Sequence, residues 1–348
     1  MFHLLKAHHV SDLHFKYDPN SGLKAIIAIH DTRKGPALGG CRFLHYNSTD
    51  DAVKDALRLA KGMSFKAVMA KLPQGGGKSV IMKPNGHFNR QELFTAFGKF
   101  VEELNGRYIT AIDSGTSAVE MDIINQQTPH VTSTSHEDNP SIYTAQGVFE
   151  GIKAAVKSKF KQDNLKGIRV AVQGLGNVGY PLVQALHHAG AVLMVSDINA
   201  VRLNHVATEF GATAVAADEI YSADCDVFSP CGLGAIVNRR TLPQFNCQII
   251  AGSANNQLAT EKDGQQLFEQ GILYAPDYVI NGGGLIYASM NHIHKTSTEI
   301  AQKTGEIAST LTEIFIKAET QNMPSSKVAD LIAQQRLDKD TELDEVAA

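Results

Sequence analysis

The sequence predicts a two-domain α/β protein whose second domain is a doubly wound, Rossmann-type parallel sheet. Three observations carry this. The chain has 348 residues, well beyond the roughly 150 of an average domain. From Gln146 onward, apolar runs at 168–172, 191–196, 226–229, 248–251 and 272–275 alternate with helical or loop stretches, as parallel strands joined by crossovers do. The first run leads into Gly174-Leu175-Gly176-Asn177-Val178-Gly179, a G-x-G-x-x-G that opens a helix. The second ends in Asp197, about twenty residues further on.

That context gives the glycines a purpose. They permit a tight turn and a close backbone approach, and the helix N-terminus offers free N–H groups to a pyrophosphate. A carboxylate at Asp197 accepts hydrogen bonds from a ribose 2′-OH and repels a 2′-phosphate, so NAD is expected over NADP. Arg202, five residues on, weakens that preference.

The N-terminal part reads as strands, a helix and a strand. Lys24–His30 is a short apolar run, followed by Asp31-Thr32-Arg33-Lys34-Gly35-Pro36 as a loop. Thr49-Asp50-Asp51 opens a helix with Ala52, Val53, Ala56, Leu57, Ala60 and Met63 on one face. Pro73 and the glycines close that region, and Ser79–Met82 resumes as a strand. Phe94, Phe97, Val101 and Leu104 mark a further helix that stops at Asn105-Gly106. The expected division is 1–136 for the first domain, 137–325 for the second, and 326–348 returning to the first. The acidic stretch 338–345 reads as a solvated tail.

Composition bounds the function. The chain is 43% hydrophobic and 20% charged with a net charge of −4, which does not suit a basic nucleic-acid surface. No apolar run approaches the roughly 18–20 residues of a membrane span, and the N-terminus has no apolar core of a secretory signal. The four cysteines (Cys41, Cys225, Cys231, Cys247) have no C-x-x-C spacing. The expected setting is cytoplasmic, with no nucleic acid and no membrane partner. His8-His9 and His292-x-His294 have no Cys or carboxylate at ligand spacing, so no metal is expected.

The first domain carries a second signal, Lys61-Gly-Met-Ser-Phe-Lys66-Ala-Val-Met-Ala-Lys71-Leu-Pro-Gln-Gly-Gly-Gly-Lys78-Ser79. A phosphate-binding G-x-x-x-x-G-K-[ST] loop needs glycine at position 72, where Leu72 stands. Glycines before a lysine instead suit close approach of a small substrate to backbone. Lysine does acid–base chemistry only if burial or a neighbouring charge lowers its pKa from about 10.4 toward roughly 7–8. Asp113 ends the apolar run Tyr108–Ile112 and precedes Ser-Gly-Thr. It reads either as a turn or cap aspartate or as a carboxylate that exchanges a proton with a substrate amine.

Together, Lys66, Leu72-Pro-Gln-Gly-Gly-Gly-Lys78, Asp113 in Ala-Ile-Asp-Ser-Gly-Thr, the glycine turn at 174–179 and Gly252-Ser-Ala-Asn255-Asn256 resemble the Glu/Leu/Phe/Val amino acid dehydrogenases. The likeness runs from about residue 20 to 330, in the family's order, and is nearest the leucine and valine branch. The resemblance implies an N-terminal catalytic and oligomerisation domain, a Rossmann-type NAD-binding domain, a cleft between them, and a homo-oligomer. It assigns Lys66 to the substrate α-carboxylate, Lys78 to activation of water, and Asp113 to proton shuttling at the amine. It also brings Asn255 and Asn256 toward the substrate or nicotinamide.

At the position matching Leu38, before Gly39-Gly40, the glutamate branch has a lysine that grips a side-chain carboxylate. Leucine there implies an apolar substrate. Ala111, Leu285 and Ala288 would complete the pocket. The leucine-type pattern has valines at the last two positions and Asn-Ala-Gly-Gly where Asn281-Gly-Gly-Gly stands, so leucine, valine, isoleucine and an aromatic amino acid all stay open. The implied reaction is reversible NAD-dependent oxidative deamination to a 2-oxo acid and ammonia. The competing readings are an aromatic amino acid dehydrogenase and a catalytically inactive NAD-binding regulatory protein.

Overall fold

A strand that is apolar on both faces must be covered on both, and Lys24–His30 is such a run. The computed structural model describes residues 2–10, 12–232 and 234–347, with side chains to Lys339. The chain divides into two compact units: Met1–Asn139 with Ala288–Thr296 and Ala333–Ala348, and Pro140–Tyr287 with Ser297–Ile332.

The first unit contains α1 (Phe2–His8), β1 (Asp12–Asp18), β2 (Leu23–Asp31), β3 (Ala37–Leu44), α2 (Thr49–Met69), β4 (Gly75–Met82), α3 (Arg90–Glu102), β5 (Tyr108–Ile112) and α4 (Ala118–Asn125). Its five-stranded sheet has the order β1-β2-β4-β3-β5. β2 runs antiparallel to β1 and β4, whereas β3 is parallel to β4 and β5. Alternation along β2 sorts its side chains. Ile26 and Ala28 join Val53, Ala56, Leu57 and Ala60 of α2 in one core. Ala25, Ile27 and Ile29 join Phe94, Phe97 and Tyr108 in another. Ser48 caps α2 by accepting the Asp51 N–H, and Asp50 and Asp51 sit in its first turn, where the helix dipole favours anions.

Two stretches differ from the sequence reading. Residues 37–44, which the sequence reading assigned to no element, form β3, and the glycines before Lys78, read as closing the helical region, open β4. Small residues lack β propensity, but their neighbours on both sides are strands, and pairing overrides it. β1 carries Leu13, Phe15 and Tyr17 in alternation with polar residues along an edge.

The second unit contains α5 (Pro140–Phe160), β6 (Arg169–Gln173), α6 (Gly179–His188), β7 (Val192–Ser196), α7 (Ala200–Phe210), β8 (Thr213–Ala214), β9 (Val227–Pro230), β10 (Ile249–Ile250), α8 (Glu261–Glu269), β11 (Leu273–Tyr274), α9 (Asp277–Ile280), α10 (Gly283–His292), α11 (Ser297–Gly305), α12 (Ile307–Gln321) and α13 (Ser325–Ala347). The strand order is β11-β10-β9-β6-β7-β8, with every neighbouring pair parallel. The order reverses between β6 and β9, the crevice where doubly wound sheets hold ligands.

The division falls at Asn139/Pro140, not 136/137, because Pro140 opens α5 and proline suits a first helical turn. The return is also split. Residues 288–296 come back first, held by Ser289, which donates to Gln74 Oε1 and whose carbonyl accepts from Gln74 Nε2 at 3.4 Å. α13 joins the first unit from Ala333, not 326, where the Leu337 carbonyl accepts from Arg33 Nη1 at 2.8 Å. The stretch 338–345 continues that helix in its backbone; its side chains beyond Lys339 lie outside the described residues. No described helix is long and apolar enough to cross a membrane.

Candidate active site

Lys78 stands on β4 after three glycines, and Asp113 follows the last residue of β5. β3 lies between these strands in the sheet, so the two side chains converge only if β3 is bare at that point. It is: β3 carries Gly39 and Gly40 there, and Gly40 pairs with Ala111. A Cβ built on Gly40 would lie 3.1 Å from Lys78 Nζ and 2.8 Å from Asp113 Cβ. Lys78 Nζ accordingly makes a direct ion pair with Asp113 Oδ2.

The carboxylate is set by its turn. Asp113 Oδ1 accepts the Ser114 N–H at 2.6 Å, and the Asp113 N–H donates to Thr116 Oγ1 at 2.9 Å. Lys78 is 5% exposed. Burial pushes its ammonium below the ordinary lysine range, the Asp113 charge opposes this, and Arg42 adds to the lowering. For Asp113, burial alone would raise the pKa, but the Lys78 and Arg42 charges hold it below the usual carboxylate range. Burial and the Arg42 charge make the amine easier to deprotonate than a solvated lysine, and the adjacent carboxylate is a group to which a proton can pass.

Leu38 and Ala111, 2% and 9% exposed, lie on β3, between the strands of the pair, and on β5, which leads into Asp113, with Gly39 next to Leu38. The Gly39 carbonyl accepts from the buried Tyr108 hydroxyl at 2.8 Å. Lys66 is half-buried in the last turn of α2. That helix end is fixed to β4 because Ser64 packs directly on Gly76. Leu285 and Ala288 lie three apart on α10 and are buried. The Ala288 carbonyl accepts from Thr132 Oγ1 at 3.4 Å.

In the second unit the turn between β6 and α6 has the form the glycines suggest. Gly174 adopts φ +91°, a Cβ on Gly179 would overlap the Gly174 carbonyl, and nothing stands within 4 Å of a Cβ on Gly176. The bare turn and the N-terminus of α6 fit a pyrophosphate. Leu175 is buried beneath the turn, Asn177 is exposed, and Val178 precedes the helix. Asp197 accepts the Leu175 N–H on Oδ2 and the Asn199 N–H on Oδ1, each at 2.7 Å, and Arg202 Nη1 lies 3.3 Å from Oδ2. Burial would raise its pKa, but these backbone donors and Arg202 hold it low, so the acid is ionised.

Asn255 and Asn256 are exposed; Asn255 Oδ1 accepts from Asn281 Nδ2 at 2.8 Å, and the Asn256 carbonyl accepts the Ala235 N–H at 2.6 Å. Cys231 donates its N–H to the Gln173 carbonyl at 2.7 Å beside the glycine turn. Burial raises its thiol pKa, so it is a poor nucleophile.

Sequence reasoning missed Arg42, whose Nε lies 3.5 Å from Asp113 Oδ2, and the Gln74–Ser289 pair. Arg42 stands two residues past Gly40, on the same face of β3, and that spacing was the available signal once β3 is read as a strand.

A lysine–aspartate pair on a glycine-lined sheet, carried with a dinucleotide-type fold, defines a two-domain dehydrogenase. The chain belongs to the Glu/Leu/Phe/Val dehydrogenase family: the family's dimerisation domain matches residues 8–130, and its Glutamate/Leucine/Phenylalanine/Valine dehydrogenase domain matches 139–205 and 200–342. It is 46% identical over 342 residues to leucine dehydrogenase of Geobacillus stearothermophilus, covering 97% of this chain and 93% of the relative. It is 45% identical over 325 residues to L-tryptophan dehydrogenase of Nostoc punctiforme, covering 93% and 92%. The crystal structure of L-tryptophan dehydrogenase from Nostoc punctiforme matches with a TM-score of 0.90 at 42% identity, covering 98% of this chain and all of that one. The chain is thus an amino acid dehydrogenase, an oxidoreductase acting on a CH–NH2 group, with a nucleotide-binding domain.

Proposed function

We propose that the protein catalyses reversible, NAD-dependent oxidative deamination of a branched-chain L-amino acid to its 2-oxo acid and ammonia. The observation that carries this reading is the buried Lys78–Asp113 pair, beside a buried Leu38 in place of a carboxylate-gripping lysine. Lys66 holds the substrate α-carboxylate, and Leu38, Gly39, Ala111, Leu285 and Ala288 face its side chain. Asp113 takes a proton from the substrate ammonium, leaving the amine lone pair to support departure of hydride from Cα. Gly174, Leu175, Gly176, Asn177, Val178, Gly179 and Asp197 would hold NAD, with Asn255 and Asn256 toward its nicotinamide end; bound there, it supplies the hydride acceptor. Lys78, neutral, removes a proton from the water that attacks the resulting iminium and then faces the carbinolamine oxygen. Asp113 returns its proton to the carbinolamine nitrogen and then accepts the hydroxyl proton as the C–N bond breaks, C=O forms and ammonia leaves. Both side chains give their protons to solvent before the next cycle. The protein works as a cytoplasmic homo-oligomer, in keeping with the dimerisation domain its first half matches.

An aromatic substrate is the second reading. Ala288 is smaller than the family's valine, and a tryptophan dehydrogenase is nearly as similar as the leucine enzymes. Initial rates of NAD reduction at alkaline pH across Leu, Val, Ile, Phe, Trp, Ala and Glu decide between them. Branched-chain substrates are expected to lead, each methylene being worth about 10- to 200-fold. Glu is expected to be turned over at least about 100-fold less well, since its carboxylate would lie unpaired against Leu38. Preference for Phe or Trp keeps the chemistry and overturns the branched-chain assignment; turnover of none overturns both.

Cofactor choice has its own test. Asp197→Ser removes the ribose acceptor and releases Arg202, which then faces a 2′-phosphate. kcat/KM with NAD is expected to fall about 10- to 100-fold, the worth of charged hydrogen bonds, while that with NADP rises. An unchanged ratio of the two would remove Asp197 from the ribose site.

A further inference from the structure

The reacting pair has a third charged neighbour with no part in the scheme above. Arg42 leaves 18% of its side chain exposed, with Nε 3.5 Å from Asp113 Oδ2 and Nη1 2.9 Å from Asp55 Oδ2. The Nε–H is buried and outside hydrogen-bond geometry, so its contact with Asp113 is one of charge. Asp55, on α2, is held from other sides as well. The Tyr46 hydroxyl donates to its Oδ2 at 2.8 Å, and Arg58 Nη2 to its Oδ1 at 2.9 Å. A planar guanidinium spans two carboxylates in a way an ammonium does not.

We propose that Arg42 is a positioning residue for the Lys78–Asp113 pair: Asp55 and Tyr46 fix the guanidinium, and the guanidinium orients the Asp113 carboxylate and keeps a permanent positive charge beside Lys78. This rests on the assignment of Lys78 as base and Asp113 as proton shuttle. Besides the pair itself, the charged and titratable groups acting on it are Arg42 and, from the other face of β3, Cys41, with Asp55 and Tyr46 behind Arg42. Burial pushes the Cys41 thiol up to about 12, so it stays neutral. Glu120 of α4, which also acts on Cys41, is paired with Arg90 at 2.6 Å. Arg42 is the member of this set whose charge does not titrate.

The consequence has a sign. A carboxylate against Lys78 favours the protonated amine, and the nearby guanidinium counters it. Loss of the Arg42 charge therefore makes Lys78 harder to deprotonate, and the rising limb of kcat against pH moves to higher pH.

The test compares pH profiles of kcat and kcat/KM for the full chain and for Arg42→Gln, Arg42→Lys and Asp55→Asn, with Lys78→Ala as reference. Arg42→Gln is expected to shift the limb upward by about one pH unit, the scale on which a close unit charge moves a neighbour. kcat below the limb should fall at least about tenfold. Arg42→Lys should keep the limb while losing part of kcat, because the charge stays and the fork geometry goes. Asp55→Asn removes a negative charge behind Arg42 and leaves the guanidinium to Asp113 alone. It should shift the limb the opposite way, to lower pH, by less, and it decides the matter should Arg42→Gln not fold. A purely structural Arg42 would lower stability or kcat and leave the limb in place; an unmoved limb in Asp55→Asn and in folded Arg42→Gln overturns the proposal. Turnover surviving in Lys78→Ala would instead overturn the assignment of the base on which it rests.

Discussion

Lys78→Ala is expected to lower kcat/KM for the amino acid by about 10³- to 10⁴-fold, the range of a positioned acid–base group, while nucleotide affinity stays within about a factor of two. The substitution deletes the buried amine but leaves Leu38, Ala111 and the nucleotide-binding unit untouched. It also leaves Asp113 in a buried site with the Arg42 guanidinium 3.5 Å away. Breaking a buried pair by removing one partner costs about 3–5 kcal/mol when the other charge is stranded. With Arg42 still facing Asp113, the loss of stability should fall below that range. The measurement is steady-state oxidation of the best amino acid, with nucleotide titration and thermal unfolding of the same preparation. Lost turnover with intact nucleotide binding and a folded chain identifies Lys78 as a group that acts on substrate. Retained turnover would mean that water is activated elsewhere and would leave the buried ion pair as architecture. Retained biological output without turnover would favour the regulatory reading.

What the sequence made legible here was whatever is local in the chain. The glycine turn at 174–179, its helix and Asp197 fall within one βαβ unit, and each residue's task follows from spacing alone. Lys78 and Asp113 stood out for the same reason, each in a short run of unusual composition. Arg42 did not, because it belongs to β3, where adjacent glycines leave no strand pattern to read, and its partner Asp55 is an ordinary-looking acid on α2. Strand order brings Arg42 beside Asp113, and the packing of α2 on the sheet brings it Asp55; neither is a local pattern in the chain. The split return of the chain is similar. Residues 288–296 join the first unit through Ser289 and Gln74, 215 positions apart, and no local pattern marks either residue for the other. At β10 and β11 the apolar runs were longer than the strands, since only two residues of each enter the ladder.

Gly76→Ala is expected to destabilise the protein by about 3 kcal/mol or more, the upper end of what overpacking a core costs, and to take activity with it. Gly62→Ala is expected to stabilise it by about 0.5–1 kcal/mol. The two glycines lie on elements packed together, and a composition-based rule would treat them alike. A Cβ on Gly76 would fall inside contact of Ser64 N and Oγ and 2.5 Å from Ser64 Cα, so β4 and α2 would have to separate. Two of these three atoms are backbone, so turning the Ser64 hydroxyl away leaves the strain without a cheap outlet. Separation would also displace the last turn of α2, which carries Lys66, from the strand that carries Lys78. Gly62, exposed within α2, has nothing within 4 Å of a Cβ and has helical neighbours. There alanine only reduces the freedom of the unfolded chain and improves helix propensity. Denaturant unfolding of both variants with KM for the amino acid separates the two mechanisms. If Gly76→Ala raised KM without loss of stability, the contact with Ser64 would serve the substrate site and not the core. If Gly62→Ala were destabilising, α2 would be strained in a way its regular hydrogen bonding does not suggest.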